Sequence, residues 1–137
     1  MDYELLLLKL YPQWTVYLHE KQYFLGRCYV ALNRPADDPY SDTTKEERDE
    51  LELIILDLQT ALKKLFNYDL LNYGNLRNGW RHCHWHVVPR YETARVFDTT
   101  TFTDSAWGRN WSHHKKDFEI SEDTVFKIRD VIRSELS

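Results

Sequence analysis

Apolar residues recur along this chain with two spacings, and each spacing predicts a different kind of element. The segment after Thr44 carries apolar side chains every three to four positions, which is typical of a helix with one buried face: Leu51, Ile54, Ile55, Leu58, Leu62 and Leu65. Thr44 and Glu47 form a capping-box pattern at its start. Ser121 can cap a second, C-terminal helix whose buried side is Val125, Phe126, Ile128, Val131 and Ile132.

Shorter apolar stretches predict strands. They are residues 14–18, residues 23–32 with Gly26 early in the segment, residues 68–76, and residues 80–90. The last two flank the turn Arg77-Asn78-Gly79 and form a predicted hairpin. Residues 93–116 are predicted to be a long ordered surface segment. Strand, strand, helix, hairpin, helix is the order of an α+β domain with an antiparallel sheet.

Composition narrows the classes of protein to consider. A chain of 137 residues with 42% apolar residues is expected to form one domain with a substantial core. A mean hydropathy of -0.63 and a longest apolar run of only Leu5 to Leu8 argue against a membrane span or a secretion signal. A net charge of -4 argues against nucleic acid as a partner. Cys28 and Cys83 form no CxxC pair, so we expect reduced thiols in a cytoplasmic protein.

Three of the six histidines lie close together, at His82, His84 and His86. Because side chains alternate along a strand, this spacing places the three imidazoles on one face, while Cys83 and Trp85 point to the other. Imidazoles in a row can hold a metal ion such as zinc. Alternatively, one of them can attack an electrophile while its neighbours position it. The spacing alone does not separate these two interpretations.

The segment His82-Cys83-His84-Trp85-His86-Val87-Val88 resembles the motif of the histidine triad (HIT) family, His-φ-His-φ-His-φ-φ with φ apolar, and Pro89-Arg90 is its usual continuation. Residues 25–30 look like the strand that opens the family's domain, and residues 72–78 look like its Asn-bearing hairpin. Residues 107–111 and the last helix resemble the tail of prokaryotic HIT hydrolases that are similar to diadenosine tetraphosphate hydrolase. The resemblance runs from about Trp14 to the end.

This resemblance implies a single HIT-like α+β domain over residues 1–137. Its antiparallel sheet would have about five strands, with a long central helix and a C-terminal helix. Residues 93–137 would form a C-terminal extension that packs on the rest.

The resemblance also implies nucleotidyl chemistry on the α-phosphate of dinucleoside polyphosphates or related nucleotide conjugates. His84 would be the nucleophile and form a covalent nucleotidyl-histidine intermediate, with its Nδ1 donating to a backbone carbonyl so that Nε2 attacks. His86 would contact the phosphate or assist the leaving group, and His82 would order the row. Asn78 would lie near the bridging oxygen.

Five further residues are expected to contact the substrate. Asn72 would orient the hairpin or touch phosphate, and Arg27 lies in the segment that resembles the opening strand. His19 stands where the family often has the ribose-contacting Asn, and Tyr17 and Tyr29 would flank the base. Three residues outside this set have separate expectations. Arg77, where the family commonly has Gly, is expected to be solvated, and His113 and His114 are expected at the surface.

No cofactor is expected on the protein, and Mg²⁺ would arrive with a polyphosphate substrate. The family usually forms homodimers through sheet and helix, so a homodimer is expected, with Trp85 in the core or the dimer interface. Two alternatives stay open: a nucleotide-binding or sensor protein with little turnover, and a metal enzyme that uses the histidines as ligands. The leaving group and the base are not predicted.

Overall fold

A computed structural model describes the whole chain, Met1–Ser137, and contains a five-stranded antiparallel sheet with two long helices. The elements are a 3₁₀ turn (Tyr3–Leu6), β1 (Leu7–Leu10), β2 (Trp14–Leu18), β3 (Cys28–Leu32), α1 (Lys45–Phe66), β4 (Leu70–Gly74), β5 (His84–Arg90), β6 (Arg95–Phe97), β7 (Thr100–Phe102), a second 3₁₀ turn (Trp111–His113) and α2 (Glu122–Leu136). The strand order in the sheet is β1-β2-β3-β5-β4. The α+β fold with five sheet strands is therefore confirmed.

The capping box of α1 also ties the helix to the rest of the fold. Thr44 and Glu47 exchange both hydrogen bonds of the box, at 3.1 and 2.8 Å. The buried Glu47 carboxylate also pairs with Arg34, whose guanidinium is the main reason that the pKa of Glu47 falls to about 2. The backbone carbonyl of Glu47 accepts from the indole of Trp14 in β2 at 2.8 Å. One short motif thus fixes the start of α1 against the sheet and the loop after β3.

The two faces of the sheet have different chemistry. One face packs on α1 and α2, and its central core residues are Trp14, Val16 and Leu18 from β2, Cys28, Val30 and Leu32 from β3, and Val87 from β5. Across the strands, Tyr17 is paired with Tyr29 and Tyr29 with His86, so these three side chains share the opposite face. The alternation predicted for the histidine segment therefore leaves imidazoles and tyrosines on the face that the helices do not cover.

Two predicted strands begin later in the structure. The second starts at Cys28 rather than Tyr23, because Gly26 has a φ of +86° and the Gln22 side chain holds a turn, bonding to Gly26, His19 and Arg27. The histidine strand starts at His84 rather than Trp80, so His82 lies just before it.

Other elements were not predicted. The edge strand β1 lies against α2, where Lys9 donates to the carbonyl of Leu136 and Arg133 to that of Leu7. Within residues 93–116 the structure has the hairpin β6–β7.

The Ser121 cap of α2 is confirmed, since its hydroxyl accepts from the amide of Thr124 at 3.2 Å. No helix has the length and apolar character that a membrane crossing requires.

The turn at Gly26 gives a testable prediction for stability. A Cβ there would lie 3.0 Å from the Phe66 ring and 3.2 Å from Leu62, and the backbone has a positive φ. We expect Gly26→Ala to lower the free energy of unfolding by about 2 kcal/mol, through strain and crowding together. Urea denaturation measures this change.

Gly79→Ala is the matched control, because a Cβ at Gly79 meets no atom within 4 Å. We expect its effect to stay within about 0.5 kcal/mol. Equal effects of the two variants would contradict this explanation of the turn.

Candidate active site

The three central strands place the histidines in a hollow on the uncovered face of the sheet. In the register of β3 with β5, Ala31 lies opposite His84 and Tyr29 opposite His86. On the other side of β5, Gly74 of β4 lies opposite His86. A small residue thus stands beside each of the two imidazoles, Ala31 beside His84 and Gly74 beside His86.

His84 is held in one tautomer by the backbone. Its Nδ1 lies 2.6 Å from the carbonyl oxygen of His82, and only 6% of the residue is exposed. A carbonyl can only accept, so Nδ1 carries the proton and Nε2 carries the lone pair. Burial is the main cause that lowers the pKa of His84, which favours the neutral imidazole. This is the contact that the HIT resemblance implied.

His82 is anchored differently, because it precedes the strand. Its Nε2 lies 2.7 Å from the carbonyl of Leu32, so Nε2 is the protonated nitrogen. The amide of Cys83 donates to the carbonyl of Ala36, and the amide of Leu32 donates to the carbonyl of Cys83. These bonds fix the His82 carbonyl on which the orientation of His84 depends.

His86 is half-buried among other aromatic and charged groups. Its ring centre lies 5.1 Å from that of His84 and 6.1 Å from that of His19. Burial, followed by the nearby Arg27 and His84, lowers the pKa of His86 to about 4. Its Nδ1 is buried and has no hydrogen-bond partner in the protein.

Arg27 and His19 share the same corner of the hollow. Burial first, then the charge of Arg27, lowers the pKa of His19 to about 3, and its Nδ1 accepts from the amide of Lys21 at 3.0 Å. The Nε of Arg27 is buried without a partner, and burial lowers the pKa of Arg27 to about 10. A cation without a carboxylate partner beside neutral imidazoles favours an anion in this corner.

Two cavities lie side by side over this face. One of about 280 Å³ is lined by Met1, Tyr3, Leu6, Leu18, His19, Glu20, Tyr29, Trp80, His84 and His86. The second, of about 670 Å³, is lined by Tyr3, Thr15, Tyr17, Tyr29, Ala31, Leu32, Asn33, Pro35, Trp80 and His82. Tyr3, Tyr29 and Trp80 line both cavities, so an aromatic wall runs between them.

The aromatic rings of this wall are in contact with each other and with the histidines. Tyr17 and Tyr29 are stacked, with ring centres 5.2 Å apart, and Tyr3 meets Tyr17 edge-on at 5.5 Å. The indole of Trp80 lies 4.8 Å from the ring of His82 and 4.7 Å from that of His84. Flat apolar surfaces of this kind suit a planar ligand such as a base.

The sequence analysis did not identify two of these wall residues, Trp80 and Tyr3. Trp80 has the same parity as His82, His84 and His86, so strand alternation could have placed it on their face. Tyr3 carried no such signal, because a turn near the chain terminus brings it over the sheet.

Two predicted residues lie away from the imidazoles. Asn78 is exposed in the loop before His82 and makes no hydrogen bond to the histidines. Asn72 accepts from the buried guanidinium of Arg90 at 2.8 Å. Neither lines the two cavities over the histidines.

Two expectations about surface residues are wrong. Arg77 is not simply solvated: it has a φ of 55° and pairs with Asp37 at 2.9 Å, which ties the hairpin loop to the loop after β3. His114 is buried rather than exposed, because its ring packs on Phe24 at 4.7 Å and its Nε2 lies 3.1 Å from the carbonyl of Thr103. The neighbouring His113 is exposed.

The site contains no cluster of three or more His, Cys, Asp or Glu residues with the geometry of a metal centre, and neither does the rest of the chain.

Solved structures with the same fold are histidine triad proteins. The chain is similar to a histidine triad protein from Bradyrhizobium japonicum, with 18% identity, coverage of 95% of this chain and 89% of that one, and a TM-score of 0.77. A histidine triad (HIT) protein from Sinorhizobium meliloti has 18% identity, coverage of 98% and 95%, and a TM-score of 0.76. A hypothetical histidine triad nucleotide-binding protein from Sulfolobus tokodaii has 16% identity, coverage of 96% and 83%, and a TM-score of 0.70.

At the level of sequence, no protein-family model and no curated protein matches the chain. The likeness is therefore one of structure, and it extends over nearly the whole chain. The protein has the histidine triad fold, with the three histidines of its motif in the hollow described above.

Proposed function

We propose that this protein is a nucleotide hydrolase or nucleotidyl transferase that attacks the α-phosphate of a nucleotide conjugate through His84. The hydrogen bond from Nδ1 of His84 to the carbonyl of His82 carries the proposal. It fixes the tautomer in which Nε2 is an unprotonated nucleophile at neutral pH. A histidine with a merely structural role would not need its Nδ1 fixed by a hydrogen bond while its Nε2 has no partner and the residue lines a cavity.

The reaction proceeds in two steps. Nε2 of His84 forms a bond to the α-phosphorus, and the bond from phosphorus to the leaving group breaks with its electron pair. The leaving group takes its proton from solvent, and the neutral ring of His86 can donate a hydrogen bond to it. Water or another acceptor then attacks the same phosphorus, the bond from nitrogen to phosphorus breaks, and a nucleoside monophosphate or a new nucleotidyl product departs.

The electrostatics of the hollow support an anionic phosphate beside His86. The imidazoles of His19, His84 and His86 are held neutral, and the guanidinium of Arg27 is the cation next to them. A phosphate oxygen gains more from a cation in a partly buried site than it would in water. Arg27 is thus suited to bind the phosphate that His84 attacks.

The aromatic walls support a nucleoside as the part of the substrate that stays bound. Tyr17 and Tyr29 present stacked rings, and His19, which lines the smaller cavity beside His86, is the residue that we propose to contact the ribose. We propose dinucleoside polyphosphates and related conjugates as substrates, with Mg²⁺ carried in by the polyphosphate and no cofactor resident on the protein. A nucleotide-binding protein with little turnover is the second candidate, favoured by the description of the Sulfolobus tokodaii relative.

We further propose a homodimer formed through α1 and the edge strand β4. An apolar hollow of about 520 Å³ lies between them, lined by Pro39, Tyr40, Arg48, Leu51, Glu52, Ile55, Leu56, Gln59, Tyr73 and Trp85. The indole nitrogen of Trp85 is buried there without a partner, and Leu56 and Tyr73 are exposed beside it. The exposed edge of β4 has backbone groups that can pair with a strand of a second copy.

A cytoplasmic location is part of the same proposal, supported by two unpaired buried cysteines.

The first prediction concerns the covalent intermediate. Wild-type protein mixed with a diadenosine polyphosphate and denatured at alkaline pH, where a bond from nitrogen to phosphorus survives, should show an adenylyl adduct on His84 by mass spectrometry. His84→Ala should show none and should lose about 10³-fold or more in turnover, because the bond to phosphorus cannot form.

His113→Ala is the matched control, since His113 is an exposed histidine outside the hollow. It should form the adduct at the wild-type rate. Turnover that persists in His84→Ala would contradict the covalent mechanism. Nucleotide binding without turnover or adduct would favour the binding protein, and stoichiometric zinc that depends on His82 and His86 would favour a metal enzyme.

The second prediction concerns pH. Burial and Arg27 lower the pKa of His86 to about 4, so its ring should stay neutral as pH falls from 7 to 5 and take up a proton only near pH 4. Arg27→Met removes a neighbouring positive charge, so the titration of His86 should move to higher pH. NMR of the ring carbon and nitrogen nuclei follows this titration.

Lys21→Met is the control, because Lys21 is an exposed cation that does not act on His86. It should leave the midpoint in place. A midpoint near 6.5 in the wild type would contradict the description of a buried neutral imidazole.

The third prediction concerns the dimer. Sedimentation velocity should show the 16.6 kDa chain as a species of twice that mass. The double variant Leu56→Lys, Tyr73→Lys should sediment as a monomer, since it places like charges in the proposed interface. Val96→Lys, at an exposed position on β6, should remain dimeric. A monomeric wild type would exclude the dimer.

A further inference from the structure

The indole of Trp111 occupies the space that a side chain at Gly74 would fill. A Cβ built on Gly74 would lie 2.5 Å from Cη2 and 3.0 Å from Cζ2 of Trp111. Gly74 is the direct cross-strand partner of His86, so its missing side chain would stand on the same face, beside the imidazole. Trp111, from the C-terminal tail, takes that place, with its ring centre 6.4 Å from that of His86.

The tail that carries Trp111 is fixed by the most buried charged pair of the chain. Arg90, only 3% exposed, pairs with Asp104 through Nε at 2.7 Å and Nη2 at 3.1 Å. The same guanidinium donates to the carbonyls of Ala106 and Arg109, at 2.7 and 2.8 Å. Arg90 uses its planar set of donors to hold this loop, two residues before Trp111.

The local backbone completes the placement of the indole. The Asn110 side chain accepts from the amide of Ser112 at 2.9 Å and caps the 3₁₀ turn that begins at Trp111. Trp111 is only partly buried, so part of the residue stays accessible. A partly exposed indole is thus fixed beside His86 from two directions, by the clamp of Arg90 and by the gap at Gly74.

We infer that Trp111 determines leaving-group specificity by offering a stacking surface to a planar aromatic leaving group on the His86 side of the row. This inference rests on the proposed attack by His84, in which His86 serves the leaving group. The nucleoside has its own aromatic walls at Tyr17, Tyr29 and Trp80, beside the other histidines. An indole beyond His86 is therefore free to contact the opposite end of the substrate.

The test compares binding of two esters of adenosine 5′-monophosphate, one with a phenyl and one with a methyl group on the phosphate. Calorimetry is done on His84→Ala, so that neither ester is consumed. The phenyl ester should bind more tightly. Adding Trp111→Leu should lower the phenyl-to-methyl affinity ratio by roughly 3- to 10-fold, the value of one aromatic stack.

Gly74→Ala provides a second route that keeps the indole but moves it. Its Cβ cannot share space with Cη2 of Trp111, so the ratio should fall in the same direction. Trp107→Leu is the matched control, because Trp107 belongs to the same tail but lines a separate hollow with Leu70, Asn72 and Arg109. It should keep the ratio of the parent protein. Melting temperatures of all variants show whether each is folded.

An unchanged ratio in both Trp111→Leu and Gly74→Ala would overturn the assignment of Trp111, as would a failure of either ester to bind. The proposed function is tested separately by the adduct on His84 in the wild type. An adduct with an unchanged ratio would refute the role of Trp111 alone. No adduct with a ratio that falls as expected would refute the covalent mechanism alone.

Discussion

The position of β5 between β3 and β4 is the constraint on which the site depends. Pairing with β3 extends from His84 to Val87 and pairing with β4 from His86 to Arg90, so the register fixes the face that each side chain takes. Val87 points into the core with Cys28 and Val30, and that burial forces His84 and His86 outward. The energy that places the imidazoles thus comes from the apolar half of the same strand.

The same placement sets the chemistry of the histidines. An imidazole on a solvated strand would exchange between tautomers and would be partly protonated near neutral pH. Here the backbone carbonyls of His82 and Leu32 each fix one tautomer, and burial lowers the pKa of His84 and His86. These influences agree, since a hydrogen-bonded carbonyl selects the nucleophilic nitrogen and burial keeps it unprotonated.

Short-range signals in the sequence were sufficient for much of this structure. Thr44 and Glu47 are three residues apart and form the predicted box, and Ser121 caps its helix, because a cap depends on neighbours in the chain. Alternation was sufficient to place His84 and His86 on one face. The resemblance of the motif added what spacing could not, a reason to favour a nucleophile over a metal site.

The features that were missed depend on distant contacts. Strand β1 forms because α2 lies against it, and His114 is buried because Phe24 and the carbonyl of Thr103 meet its ring. Arg77 is ion-paired because a loop forty residues earlier brings Asp37 to it. None of these partners can be found from local periodicity.

The residues that the sequence predicted and those that it missed differ in where they lie and in the role proposed for them. His84 and His86 belong to a strand, where pattern determines position, and they are the residues to which the proposed attack on phosphorus is assigned. Trp80 and Trp111 come from loops, where position depends on tertiary contacts such as the clamp of Arg90 on residues 104–109. Loops tolerate sequence change better than a doubly paired strand does. Under the proposed mechanism, the attack by His84 can therefore stay the same while the indoles at the two ends of the row change with the substrate.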